Sequence, residues 1–192
     1  MKSRITVALA MVCGLAIFAA SIGFAADIII SAEVPQATDV NVVLSRVTGD
    51  SWTPAASMNF GTLALDEDLG IFLPPYYFAA DVGVNGGAPW TIQHSVSGAD
   101  FTTGGLEALG DNVIVTFMKQ TGDEEGSELG KVLIMNASRS YSNVDLYPGW
   151  LRVYYGISTG EPGAEPAGAT PITVHEYAGN YSGTVTISLT AN

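Results

Sequence analysis

A chain of 192 residues with 19 acidic and 7 basic side chains has a formal charge of −12, a balance that disfavours nucleic acid and anionic membrane surfaces as partners. The single cysteine, Cys13, excludes an intrachain disulfide and a multi-thiolate metal site. No Gly-x4-Gly-Lys-Ser/Thr or GxGxxG loop is present, so nothing in the sequence cradles a nucleotide phosphate.

The N-terminus reads as a targeting segment. Lys2 and Arg4 precede the uncharged apolar run Ile5–Phe18, and Gly23-Phe24-Ala25 places small residues where a signal peptidase cuts. Residues 1–25 are therefore expected to be a secretory signal peptide. The run is short for a membrane span. Val12 before Cys13 disfavours a lipoprotein signal, and Asp27 and Glu33 disfavour a type IV pilin leader, which continues as a long apolar helix. Cleavage after Ala25 takes Cys13, Lys2 and Arg4 away. It leaves 167 residues in which 5 basic face 19 acidic side chains, a charge of −14. That length suits one domain with a single core.

Immediately downstream, Asp27–Val34 alternates. Ile28, Ile30, Ala32 and Val34 point one way, and Ile29, Ser31 and Glu33 the other. Pro35–Thr38 follows as a linker, so residues 26–38 form an N-terminal extension ahead of a domain at 39–192. Further period-2 runs recur between Gly, Pro, Asn and Asp clusters, and no stretch repeats with a 3.6-residue period. Strands are predicted near Val40–Val47, Asn59–Leu65, Tyr76–Val84, Trp90–Ser97, Asn112–Lys119, Lys131–Ala137, Leu151–Ile157, Thr170–Val174 and Gly183–Thr190. A short helix is predicted at Gly105–Leu109. In the last strand Val185, Ile187 and Leu189 alternate with Thr and Ser. The expected fold is all-β: an Ig-like two-sheet antiparallel β-sandwich with an N-terminal extension strand.

Candidates for chemistry are few. A metal or acid–base role for His94 or His175 would need convergent carboxylates, which no motif supplies, and both read as ordinary surface or half-buried histidines. No Gly-x-Ser-x-Gly elbow occurs. The acidic stretches Asp66-Glu67-Asp68 and Asp123-Glu124-Glu125 with Glu128 lack the spacing of an EF-hand loop and read as solvated charge. The aromatics of residues 74–81 and 153–156, with Trp90 and Trp150, suit either a sugar-stacking platform or core packing, since alternation turns half of them inward. Asn136 and Asn180 head N-glycosylation sequons, a pattern short enough to arise by chance. No catalytic residue, metal site or cofactor is predicted.

Several stretches together carry a family resemblance. They are the alternating N-terminal strand, "VNVVLSRV" (40–47), "MNFGTL" (58–63), "LRVYYGIST" (151–159), "AGATPITV" (167–174) and the closing "YAGNYSGTVTISLT" (177–190). In these features the chain resembles spore coat protein U-type, or archaic chaperone–usher, pilin subunits. Phe60-Gly61 matches their turn; Gly179, Tyr181, Val185, Ile187 and Leu189 match their closing strand. Two features differ: the mature chain has no cysteine for the disulfide common near the first strands, and "SLTAN" ends without an aromatic residue.

The resemblance implies a sandwich lacking one strand, whose open groove is filled by the N-terminal segment of the next subunit. Ile28, Ile30, Ala32 and Val34 would be the donor residues; Val185, Ile187 and Leu189 would belong to the acceptor. The partners implied are other copies of the chain, a periplasmic chaperone and an outer-membrane assembly protein. The location implied is an extracellular, cell-surface filament, with no enzymatic activity and no membrane insertion of the mature chain. The competing reading of the same strand is the first strand of a self-contained sandwich. The competing function is a monomeric carbohydrate-binding or adhesin module, with an acidic hydrolase behind it.

Overall fold

The computed structural model describes residues 37, 39–97, 109–122, 126–176, 178–179, 181 and 183–191. Among them run the strands β1 (Asp39–Thr48), β2 (Ser51–Pro54), β3 (Ala64–Asp66), β4 (Ile71–Leu73), β5 (Tyr77–Asn85), β6 (Trp90–Ser97), β7 (Val113–Gln120), β8 (Ser127–Leu133), β9 (Arg139–Ser142), β10 (Trp150–Ile157) and β11 (Thr184–Ala191). A six-stranded sheet has the order β2-β1-β5-β10-β7-β8, a three-stranded sheet the order β11-β6-β9, and β3 and β4 form a small hairpin. Every pairing is antiparallel. The all-β, sandwich-like class expected from the sequence is the one found.

Alternation builds the core. In β10 the buried positions are Leu151, Val153, Tyr155 and Ile157, every second residue. Phe78, Ala80 and Val82 of β5 and Val113, Val115 and Phe117 of β7 share that face, and Ile92 of β6 meets them from the smaller sheet. Each large apolar side chain buried in this way contributes about 1.5–3 kcal/mol. A second cluster, Leu109, Ile157 and Ile172 with Phe60 and Phe72, anchors the β3–β4 hairpin. A one-turn helix, α1 (Asn143–Leu146), is started by a capping box in which Ser142 and Asp145 satisfy each other's backbone N–H groups. Beside it, a Cβ on Gly149 would collide with the Gln120 carbonyl, so only glycine fits where the chain enters β10.

Several expected elements differ. Asn59–Leu65 is not a strand up to Ala64. The Asn59 side chain accepts from Gly61 N–H (2.8 Å), Gly61 takes φ of 69°, and Phe60 turns in against Phe78. The Phe-Gly turn is therefore present where the strand is not. Thr170–Val174 makes a single bridge, Ile71 to Thr173. Its polar groups bond instead to Asn112, Asp111 and Glu176. Lys131–Ala137 is shifted: β8 ends at Leu133 and a 3-10 turn covers Ile134–Asn136. Strands β2, β4 and β9 and helix α1 were not expected; each is four residues or fewer, too short to show a period. Asp27–Val34 lies outside the described residues, as does the predicted helix except Leu109, which is buried and irregular.

Candidate functional site

The core closes unevenly. In β5 the inward residues Phe78 and Val82 are 1% exposed, whereas Val42, the β1 residue paired with Val82, is 41% exposed. Directly opposite residues in an antiparallel pair share a face. Val40, Val42 and Leu44 therefore all point inward, as partners of Val84, Val82 and Ala80. The smaller sheet has the same gradient. Ile92 of β6 is buried, but its partner on β11, Leu189, is half-buried, as are Val185 and Ile187. β1 and β11 approach each other at this side of the sandwich, and their inward residues pack on the margin of the core.

Both strands also present unpaired edges among the described residues. β2 covers β1 only from Ser45 to Thr48, with Ala55 N–H donating to the Leu44 carbonyl at 2.9 Å. Because backbone groups alternate sides along a strand, those of Val42 and Val40 turn to the same edge as Leu44, beyond the reach of β2. β11 pairs with β6 on one side, and no described strand lies on its other side. Among the described residues, Val40, Val42, Leu44, Val185, Ile187 and Leu189 thus form a partly exposed apolar margin, here called the groove, with a hydrogen-bonding edge on each flank. Alternating apolar residues beside open backbone edges suit an extended segment with an apolar residue at every second position.

The ends of the groove differ in chemistry. Asp39 pairs with Asn85 and Ala191 with Trp90, and residues 86–89 join β5 to β6, so β1 starts where β11 ends. There Ala37, 2% exposed, donates its N–H to the Gly87 carbonyl at 3.1 Å. The opposite end carries Arg46 on the inward face of β1, its guanidinium 5.1 Å from the centre of the Tyr76 ring. A pocket of about 290 Å³ lies beside it, walled by Arg46, Ala55, Asn59, Gly61, Tyr76 and Phe78.

Of the expected site residues, Val185, Ile187 and Leu189 lie together on the inward face of β11. Ile28, Ile30, Ala32 and Val34 lie outside the described residues. The sequence reading missed Val40, Val42 and Leu44. The signal was present in "VNVVLSRV", but Val43 and Val47 are as apolar as Val42, so periodicity alone did not choose the face.

Among the other candidates, His94, Asp66 and Glu128 have structural partners. His94, expected at the surface or half-buried, is 1% exposed; its Nδ1 is 2.6 Å from the Ala137 carbonyl and its Nε2 2.9 Å from the Tyr155 hydroxyl. A carbonyl only accepts, so Nδ1 carries the proton and Nε2 accepts from Tyr155. Burial holds the imidazole below its ordinary pKa. His175 is exposed. Asp66 caps a turn by accepting from the N–H groups of Asp68 and Leu69. Glu128 lies 3.8 Å from Lys131, while Asp123–Glu125 are outside the described residues. Among the described residues no cluster of three or more histidine, cysteine or carboxylate side chains is placed to hold a metal. In comparisons with known proteins, the chain matches no family model, no curated protein and no solved structure.

Proposed function

We propose that this chain is a secreted structural subunit of an extracellular filament, polymerising head-to-tail as the N-terminal strand of one copy fills the β1–β11 groove of the next. The observation that carries the reading is the groove: two unpaired edges among the described residues, flanking inward valines, isoleucine and leucines that their own fold leaves half-exposed. On this reading the family is that of the archaic chaperone–usher pilins, delivery involves a periplasmic chaperone and an outer-membrane assembly protein, and the chain is not an enzyme.

Energetics favour an incomplete acceptor. Burying Ile28, Ile30 and Val34 contributes about 1.5–3 kcal/mol each. Ordering the donor costs roughly 1–2 kcal/mol per residue, so a strand laid on a finished surface gains little. In the groove the walls are desolvated as well, and ladder hydrogen bonds add about 0.5–1.5 kcal/mol apiece. Ala37, where the extension joins the domain, is held at one end of the groove by its bond to Gly87, and repeated donation in one sense gives an open fibre instead of a closed ring. Negative-stain microscopy and unboiled gels of the purified mature protein test the reading. Fibres and a ladder of detergent-resistant multimers are expected; a strictly monomeric particle at all concentrations would overturn it.

A further inference from the structure

The outer face of the six-stranded sheet, turned away from the groove, is built differently. Strand alternation sends Tyr155 into the core and its neighbour Tyr154 outward, where it meets Trp52 of β2 and Tyr77 of β5. Trp52 is 43% exposed and Tyr77 38%. Tyr154 stands edge-on between them, with ring centres 6.4 Å from Trp52 and 5.9 Å from Tyr77. The Arg152 guanidinium lies 4.6 Å from the Trp52 ring centre and 4.8 Å from that of Trp150, and Asp81 grips it with both carboxylate oxygens. A bidentate pair and cation–π contacts hold these rings in place before any ligand arrives.

Next to the rings runs a groove of about 870 Å³, bounded by Pro74 and Pro75 on one side and by the 158–165 loop on the other. Its floor includes Thr116 and Gly156. Gly156 sits inside β10, has no left-handed φ, and a Cβ there would meet nothing within 4 Å. Neither packing nor backbone conformation calls for glycine, and glycine weakens a strand interior. What it provides here is depth under Tyr77 and Tyr154.

Most charges around this groove are already matched, and Glu161 adds a carboxylate to its lining. Arg152 is held by Asp81; Lys131 donates to the Ala164 carbonyl at 2.9 Å and lies near Glu128; Glu165 accepts from Ser158, Thr159 and Gly160. Among the described residues that line the groove, the one cation, Lys131, is already engaged, and the chain's net charge of −12 repels a sulfate or carboxylate. The floor strands β5, β10 and β7 are interior to the sheet, so a peptide finds no open backbone edge. Aromatic rings beside hydroxyls and matched charges fit a ligand with apolar C–H faces and many hydroxyls. We propose that this outer groove binds a neutral glycan chain, with Tyr77 and Tyr154 as stacking surfaces, Trp52 packed against Tyr154 beside it, and Thr116 among the hydrogen-bonding groups. The proposal is independent of the filament reading.

The test titrates the full mature protein with cellotetraose, chitotetraose, maltotetraose and mannotetraose, with heparin and a proline-rich peptide as the charged and peptidic comparisons. Tryptophan fluorescence and saturation-transfer NMR report binding. At least one neutral sugar should bind saturably. Tyr154→Ala and Tyr77→Ala should each weaken it about tenfold or more. Gly156→Gln should block it with an unchanged melting temperature, since a Cβ there meets nothing within 4 Å. The proposal is overturned by no saturable binding of any of the four sugars up to about 10 mM, by tighter binding of heparin or the peptide, or by wild-type affinity in Gly156→Gln. It is also overturned if Trp52→Ala dissolves a self-associated species, which would make the face a contact between copies.

Discussion

His94 shows how one buried polar residue ties the two sheets together. It stands on β6, bonds through Nε2 to Tyr155 of β10, lies edge-to-face with Phe117 of β7, and reaches the Ala137 carbonyl through Nδ1. The neutral ring has both nitrogens satisfied at the bottom of the core. Because desolvation lowers its folded pKa, the unfolded chain takes up a proton first as pH falls below the ordinary value near 6.5. Stability should therefore be constant above pH about 7 and decline as pH falls toward the lowered folded value. Denaturant midpoints between pH 7.5 and 5.5 check this, in a range above ordinary carboxylate titration. His94→Gln should be less stable at neutral pH by about 1–3 kcal/mol, since Ala137 and Tyr155 lose well-placed partners, and its pH slope should be shallower. Equal slopes in both proteins would refute the account. Nothing in "TIQHSV" distinguishes this histidine from His175, because burial depends on which strands lie across the core.

Strand β1 carries the sharpest contrast at the scale of an element. Val42 and Val43 are adjacent, identical, and similarly exposed at 41% and 48%. They face opposite ways: Val42 pairs with core-facing Val82, and Val43 pairs with Asp81 on the outer face. Exposure alone predicts equal tolerance of a charge. The acceptor groove predicts that Val42→Asp stops polymerisation, since it puts a carboxylate with no partner where the donor must dock, while Val43→Asp polymerises as wild type. Val43→Asp should change stability by about 1 kcal/mol or less, as at other exposed positions. Sedimentation and electron microscopy of the two variants decide it. Loss of fibres in both, or in neither, removes β1 from the acceptor. Long strands such as β1, β6, β7, β10 and β11 were legible because eight or more alternating residues define a face. The short β2, β4 and β9 were not, because their pairing is set by partners distant in sequence.

For the whole molecule, the class of fold was readable from turn residues and period-2 runs, and the shared apolar face of β11 from "TVTISLT". The inward face of β1 needed the pairing of β1 with β5, a contact between residues about forty positions apart in sequence, which no local pattern encodes. The aromatic outer face was only half visible for a related reason. Tyr76-Tyr77 and Tyr154-Tyr155 each split across the sheet, and Trp52 joins from a strand too short to predict. The decisive question at this scale is whether Asp27–Val34 completes its own sandwich or another's. Replacing Ile28 and Ile30 by Asp puts two carboxylates into an apolar groove, a desolvation cost that outweighs what the strand gains. If the segment serves a neighbouring copy, the variant should make no fibres. Its domain should keep its fold once a wild-type 27–34 peptide is supplied, and it should still accept strands from wild-type subunits, so that mixing the two shortens fibres by capping one end. If the segment is the first strand of a self-contained sandwich, the variant should instead unfold as a monomer and leave wild-type assemblies unaffected in mixtures. Thermal melts with and without the peptide, together with fibre lengths in mixtures, separate these outcomes. Fibres of normal length from the double variant alone would rule out the N-terminal strand as the connector, whatever else the groove accepts.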